Sequence, residues 1–187
     1  MRMQRFASTA VSIILALGLQ RAVAGEMKTF TAIKGESTLN YRLVHPMHVV
    51  HGVSQDFRCM VTISSDTSRV HVSVAAKVAT FSSGNSNRDS HAMEVLEAIR
   101  YPEVTFESDK SVPSGNRSEY QVTGQLTFHG VTREISFPVI PRRANHKINV
   151  KGGFEINLSD FKVARPALLG IAVKDKLNVS FELWAPE

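Results

Sequence analysis

The chain has 187 residues, 43% of them hydrophobic and 21% charged, with a formal charge of +5 and a single cysteine. That length supports one well-buried core and is short for two ordinary domains, and one cysteine excludes an internal disulfide framework. Much of the charge is local: Arg2, Arg5 and Arg21 lie in the first 24 residues with no acid, so +5 becomes +2 without them, and with no basic stripe interleaved with aromatics a nucleic-acid partner is not expected.

Those 24 residues read as a secretory signal peptide. Met1 to Arg5 is cationic, Phe6 to Leu19 is apolar or small, and Ala22-Val23-Ala24 has the A-x-A form of a cleavage site. The apolar run is shorter than the roughly 20 residues of a bilayer span, so stable membrane insertion is not expected. The expected mature domain is 25–187, starting at Gly25, and its expected location is periplasmic or secreted.

Period-two alternation then runs through almost the whole chain. A brief strand can start over Lys28 to Thr31. Leu39, Tyr41 and Leu43 mark the next, ended by His45-Pro46. A longer strand from about Val50 to Ser64 carries Phe57, Cys59, Val61 and Ile63 on one face, which makes Cys59 an inward, inert thiol. After the turn Ser65-Asp66-Thr67-Ser68, Val70, Val72, Val74, Ala76 and Val78 alternate without a fault.

One stretch breaks this pattern. Ala92, Val95, Leu96 and Ile99 recur at i, i+3, i+4 and i+7, which predicts a short amphipathic helix from about Ser90 to Arg100. Asp89 or Ser90 is its N-cap, Glu94 and Arg100 suit the helix dipole, and Pro102 ends it. A helix this short must dock its stripe on something, here as a lid on a β structure.

Strand patterning resumes at Val104 and Phe106. Tyr120, Val122, Gly124, Leu126 and Phe128 then share a face, and His129-Gly130-Val131-Thr132 reads as a tight connection to a strand with Ile135, Phe137 and Val139 inward. Ile148, Val150, Gly152, Phe154, Ile156 and Leu158 follow on one face; 159–171 is a long loop; Leu177, Val179, Phe181 and Leu183 close the chain. The sum is roughly eight antiparallel strands, each wet on one face and dry on the other, which suits a sandwich or a barrel. An outer-membrane barrel is disfavoured because paired aromatic girdles are missing.

Three motifs in this order resemble the YceI-like lipid-binding family: Arg88-Asp89-Ser90-His91, then Tyr101-Pro102-Glu103-Val104-Thr105-Phe106-Glu107-Ser108, then the run Gly124 to Arg133. A last block at Phe161 to Asp175 extends the resemblance over essentially the whole mature chain. It implies an all-β, eight-stranded antiparallel lipocalin-like barrel with the short helix covering one end. It also implies an exported, non-catalytic protein that needs no cofactor and holds a polyisoprenoid or fatty-acyl chain in its lumen. After His91 the family commonly has an aromatic-rich, acidic segment; Met93-Glu94-Val95-Leu96-Glu97 stands here instead.

The residues themselves allow such a lumen. The expected apolar lining is Phe57, Val61, Val72, Val74, Phe106, Val122, Leu126, Phe128, Phe137, Phe154 and Phe181. Bulky members of this set face Gly124, Gly152 and Ala76, which leave space unless a neighbouring side chain enters it. Arg88, Asp89, His91 and Leu96 form the expected lid and mouth: Arg88 and Asp89 either cap the helix and tie it to the rim, or Arg88 and His91 meet a polar head group.

Two other functions are carried as alternatives, besides a packed β domain acting through its surface. His45, His48 and His51 could hold a metal only if a loop brought them together, since i and i+3 on a strand face opposite ways. Asp89, Ser90 and His91 contain the residue types of a hydrolase triad, yet neighbours in sequence cannot form one, and no G-x-S-x-G elbow is present.

Overall fold

The alternating runs pair into one antiparallel sheet in the computed structural model, which describes residues 26–65, 69–114, 118–168 and 170–187. The expected signal peptide lies outside the described residues. The strands are β1 (Met27–Thr31), β2 (Thr38–His45), β3 (His48–Ser54), β4 (Phe57–Ser64), β5 (Val70–Lys77), β6 (Glu103–Pro113), β7 (Tyr120–Phe128), β8 (Val131–Ala144), β9 (Lys147–Asn157), β10 (Ala167–Leu168), β11 (Ile171–Ala172) and β12 (Lys176–Pro186), with one helix, α1 (Ser86–Val95). Ten strands form the main sheet in the order β1-β4-β5-β6-β7-β8-β9-β12-β2-β3, and β10 and β11 make a separate small ribbon.

The sheet curls on itself into a barrel-like shell. Past β1 the chain crosses to β12, where Ile33 N–H donates to the Trp184 carbonyl at 2.7 Å and Trp184 N–H donates to Ser37 Oγ at 3.0 Å. At the other end of the sheet Val53 of β3 bridges Ser82, each N–H donating to the other's carbonyl at 2.9 Å. Otherwise bare sheet ends are thus engaged, which removes a template for edge-to-edge association.

The count of ten corrects the expected eight, chiefly because the long strand from Val50 to Ser64 is two strands. The chain leaves one end of the sheet as β3 and enters near the other as β4, turning at Gln55-Asp56 where Ser54 Oγ accepts from Asp56 N–H at 3.2 Å. Two connections need left-handed backbone: His129 (φ 49°) with Gly130 (φ 71°) joins β7 to β8, and Asn145 (φ 53°) with His146 (φ 58°) joins β8 to β9. Such pairs twist in the sense the strands require. The expected loop after Leu158 contains a short helical turn over Leu158–Phe161 and the β10–β11 ribbon. Asp175 steadies it: its carboxylate accepts from Ser159 N–H and Oγ, bonds that hold its pKa below the ordinary value.

Part of the interior is filled by aromatic rings. Phe137 meets Phe106, Phe154 and Phe181 with ring centroids 5.3, 5.1 and 5.8 Å apart, the tilted arrangements that aromatic quadrupoles favour. A smaller cluster holds Phe57, Cys59 and Ala76, with Leu39, Val61, Phe81 and Leu183 packed on it. Cys59 is 3% exposed, and burial pushes its thiol up to about 12. Since the thiolate is the reactive form, native protein at pH 8 is expected to resist a thiol-reactive dye and to label fully only when unfolded; prompt labelling of the native form would contradict this placement.

Candidate functional site

α1 starts earlier than its apolar stripe suggests. Asn85 is the N-cap, its side chain accepting from Arg88 N–H at 3.0 Å, so the helix begins at Ser86 and not near Ser90. Asp89 is therefore inside the first turn, where its carboxylate reaches back to Ser83, accepting from the N–H at 3.0 Å and from Oγ. Arg88 holds the same residue: Nε donates to Ser83 Oγ and Nη2 to the Ser83 carbonyl, both at 2.8 Å. Ser82, which bridges β3, precedes it, so this pair anchors the helix to the edge of the sheet.

The helix also stops earlier. Ala98 N–H donates to the Met93 carbonyl at 2.9 Å and Glu97 N–H to the Glu94 carbonyl at 3.0 Å, with Glu97 at φ 45°. This is a Schellman ending with glutamate where glycine is usual. Past it, Ile99 leaves the stripe and stands 103% exposed, while Ala92, Val95 and Leu96 remain half-buried against the interior. The turn after α1 is held by His129, whose Nδ1 donates to the Phe161 carbonyl at 3.1 Å and whose Nε2 lies 3.5 Å from the Glu97 carboxylate. The Tyr101 ring meets the His129 ring at 4.8 Å and lies where a Cβ at Gly130 would be. Leu96→Asp is accordingly expected to undock the helix, lowering Tm and exposing the segment to protease, because a charge against apolar wall costs several kcal/mol, about 3 or more. Ile99→Ser is expected to change stability by less than about 0.5 kcal/mol in the same melts.

Beneath α1 lies a cavity of about 600 Å³. Its wall comes from β2 (Leu39, Tyr41, Leu43), the β5 end (Ala76, Val78), β6 and β7 (Val104, Phe106, Leu126, Phe128), β9 and β12 (Phe154, Ile156, Leu177, Val179) and the loop before β12 (Val163, Pro166, Val173). The roof is Arg88, Asp89, His91, Ala92, Val95 and Leu96. No helix among the described residues is long and apolar enough to cross a membrane.

Of the residues expected to line a lumen, Phe106, Leu126, Phe128 and Phe154 do so. Val72, Val74, Val122, Phe137 and Phe181 pack in the same core without lining the cavity, and Phe57 and Val61 belong to the smaller cluster. The correction has one cause: inward-facing positions are equivalent in sequence, whereas the cavity reaches only those near α1 and the loop before β12. The strand glycines do not open space either. A Cβ at Gly124 would lie 2.4 Å from the Glu107 carbonyl and 2.7 Å from the Phe106 ring, and one at Gly152 would lie 2.4 Å from the Phe181 ring. Neighbouring rings lie across these glycines, leaving the void to larger residues around α1.

The three histidines do not converge. His45 is buried, its Nδ1 accepting from Met47 N–H at 3.2 Å and its Nε2 donating to the Ile171 carbonyl at 2.9 Å. Its ring stands 4.9 Å from that of His48, and both line the cavity, while His51 sits three residues further along β3. Among the described residues no three His, Cys, Asp or Glu side chains are placed to hold a metal. Asp89 and His91 form no triad: the first serves Ser83 and the second lies 3.6 Å from Glu94.

A curled antiparallel barrel with a cavity beneath the helix that crosses one end is a lipocalin-like architecture. The chain belongs to the YceI-like family, whose domain model matches residues 30–185. A UPF0312 protein of Pseudomonas syringae pv. tomato is 30% identical over 147 residues, covering 71% of this chain and 72% of the relative. One from Pseudomonas putida is 34% identical over 91 residues, 47% of each chain, so the matched region spans about half of that relative. Among solved structures, Burkholderia cenocepacia BcnA superposes with a TM-score of 0.74 at 23% identity, over 82% of this chain and 99% of that one. A structure described as a polyisoprenoid binding domain from Saccharophagus degradans gives 0.67 at 15% identity, over 84% and 97%. At those identities the likeness is one of fold.

Proposed function

We propose that the protein is an exported, non-catalytic carrier that holds one long apolar chain, polyisoprenoid or fatty-acyl, in the cavity beneath α1. The observation that carries this reading is the cavity itself: about 600 Å³ walled mainly by Val, Leu, Ile and Phe and roofed by a helix that presents Ala92, Val95 and Leu96 beside Arg88, Asp89 and His91. That volume is in the range of ligand sites, and an apolar void stays dry and takes apolar guests. At about 30 Å³ per heavy atom, the room a water molecule takes in the liquid, it accommodates about 20 atoms of chain. At about 0.3 kcal/mol per atom such a guest gains about 6 kcal/mol, a dissociation constant in the tens of micromolar, and longer chains protruding from the mouth gain more. The polyisoprenoid-binding description of the Saccharophagus neighbour agrees with a guest of this kind.

One preparation tests both parts of the proposal. Protein collected from the exported fraction should have an intact mass beginning at Gly25, and its organic-solvent extract should contain a single class of long-chain lipid by mass spectrometry. A membrane-bound species keeping residues 1–24 would overturn export, and an extract without lipid from freshly purified protein would overturn the carrier reading.

A further inference from the structure

The cavity wall is mainly apolar, with His45, His48 and Thr105 among its polar members, and under the first turn of α1 it gathers Arg88, Asp89 and Tyr41, close enough for both charges to act on the Tyr41 hydroxyl. Asp89 is satisfied locally, accepting from Ser83 N–H, Ser83 Oγ and, at 3.4 Å, Ser82 Oγ. Arg88 uses one edge of its guanidinium on Ser83, through Nε and Nη2. Its outer edge, where an Nη1 N–H and an Nη2 N–H lie side by side, has no partner among the described residues, although the side chain is half-buried. The Tyr41 hydroxyl is likewise unpartnered among them. Its ring packs on Phe81 at 5.9 Å and lies across Gly52, where a Cβ would fall 2.2 Å from it, so the hydroxyl is fixed in position. Burial first, then the Asp89 charge, raise the pKa of Tyr41 while Arg88 lowers it, which leaves the hydroxyl neutral and able to donate.

We infer that this corner receives the head of the bound chain and that the head is a carboxylate, making the preferred guest a fatty-acid-type monoanion. The inference rests on the carrier reading and narrows it. A free guanidinium edge is a planar pair of parallel donors, which two carboxylate oxygens match in one plane, with Tyr41 as a third donor. An alcohol head uses only one arm of that fork. Arg88 and Asp89 together are neutral, so a phosphate head leaves up to two uncompensated negative charges at the corner where a carboxylate leaves one, and of the two anions the singly charged head is favoured.

The experiment is displacement of the uncharged dye N-phenyl-1-naphthylamine at pH 8 by dodecanoate, dodecanol and dodecyl phosphate, each below its aggregation concentration. Dodecanoate is expected to displace the dye at least about tenfold more effectively than dodecanol, the range of a charge-assisted hydrogen bond, and more effectively than dodecyl phosphate. In Arg88→Gln the acid-to-alcohol ratio should fall towards one. Because Arg88 also holds Ser83, Tyr41→Phe serves as a second variant that removes only an unpartnered oxygen, and it should lower the ratio a few-fold. Equal displacement by acid and alcohol in the wild type, or a stronger effect of the phosphate, would overturn the carboxylate head while leaving the apolar site standing. No dye binding and no binding of any competitor would overturn the carrier reading and this inference together.

Discussion

Gly124→Phe is expected to give a protein that fails to fold, rather than a folded barrel with a blocked lumen. The position faces inward on β7, and its neighbours already occupy the space a side chain needs: Glu107 carbonyl, Phe106 ring and Ser108 Cβ lie 2.4, 2.7 and 2.7 Å from where a Cβ would be. The first of these is backbone and cannot rotate away. It belongs to a fixed feature, since the β6–β7 register shifts between Glu107 and Lys110 and Ser108 Oγ fills the irregularity by donating to the Thr123 carbonyl at 2.6 Å. A methyl group alone should cost about 1 to 3 kcal/mol. A phenyl ring adds the displacement of Phe106 from its contact with Phe137, and together these approach the whole stability of an ordinary domain, about 5 to 15 kcal/mol. Circular dichroism and thermal melts of Gly124→Ala and Gly124→Phe check this; a folded Phe variant with wild-type melting would show that the corner is open.

That outcome separates what was legible in the sequence from what was not. Alternation and turn chemistry place most strands, because the side-chain period of two is local, but they run β3 and β4 together across Gln55-Asp56; the order of the three motifs is enough to identify the barrel. The helix was legible as an element but shifted at both ends. Asn85 caps it through its own side chain, a signal that in the sequence competes with Asp89 and Ser90, and Glu97 closes it from a left-handed conformation that ordinarily advertises itself with glycine.

The site was legible in type and only partly in place. Phe128 and Phe137 both point inward on adjacent strands, yet only Phe128 touches the cavity, because depth within the barrel is fixed by register and curvature that alternation does not encode. Tyr41 was visible as a strand residue without a role; what singles it out is the glycine opposite it, Gly52, which the β2–β3 pairing places directly across the ladder. Val163 and Val173 were hidden in a segment without period, and such positions are fixed by tertiary contacts, in this case the Asp175–Ser159 bonds and the His45–Ile171 link.

Ala92→Trp is expected to abolish loading of a long apolar chain while leaving the fold intact. Ala92 sits on the cavity face of α1 between Arg88 and Leu96, in a helix that tolerates a larger residue, and no glycine or bulge constrains it. An indole adds about nine heavy atoms to a space that accommodates about 20, so about half of the guest's contacts disappear. At about 0.3 kcal/mol per atom that is about 3 kcal/mol, or more than a hundredfold in affinity. The ring also fills room that is otherwise empty without a guest, so the melting temperature of lipid-free protein should hold or rise, the reverse of the overpacking at Gly124. Extract composition and thermal melts of delipidated protein decide the matter side by side. Wild-type lipid content in a folded Ala92→Trp protein would mean that the guest lies elsewhere, and a large drop in melting temperature would mean that the space beneath α1 is already filled by the protein itself.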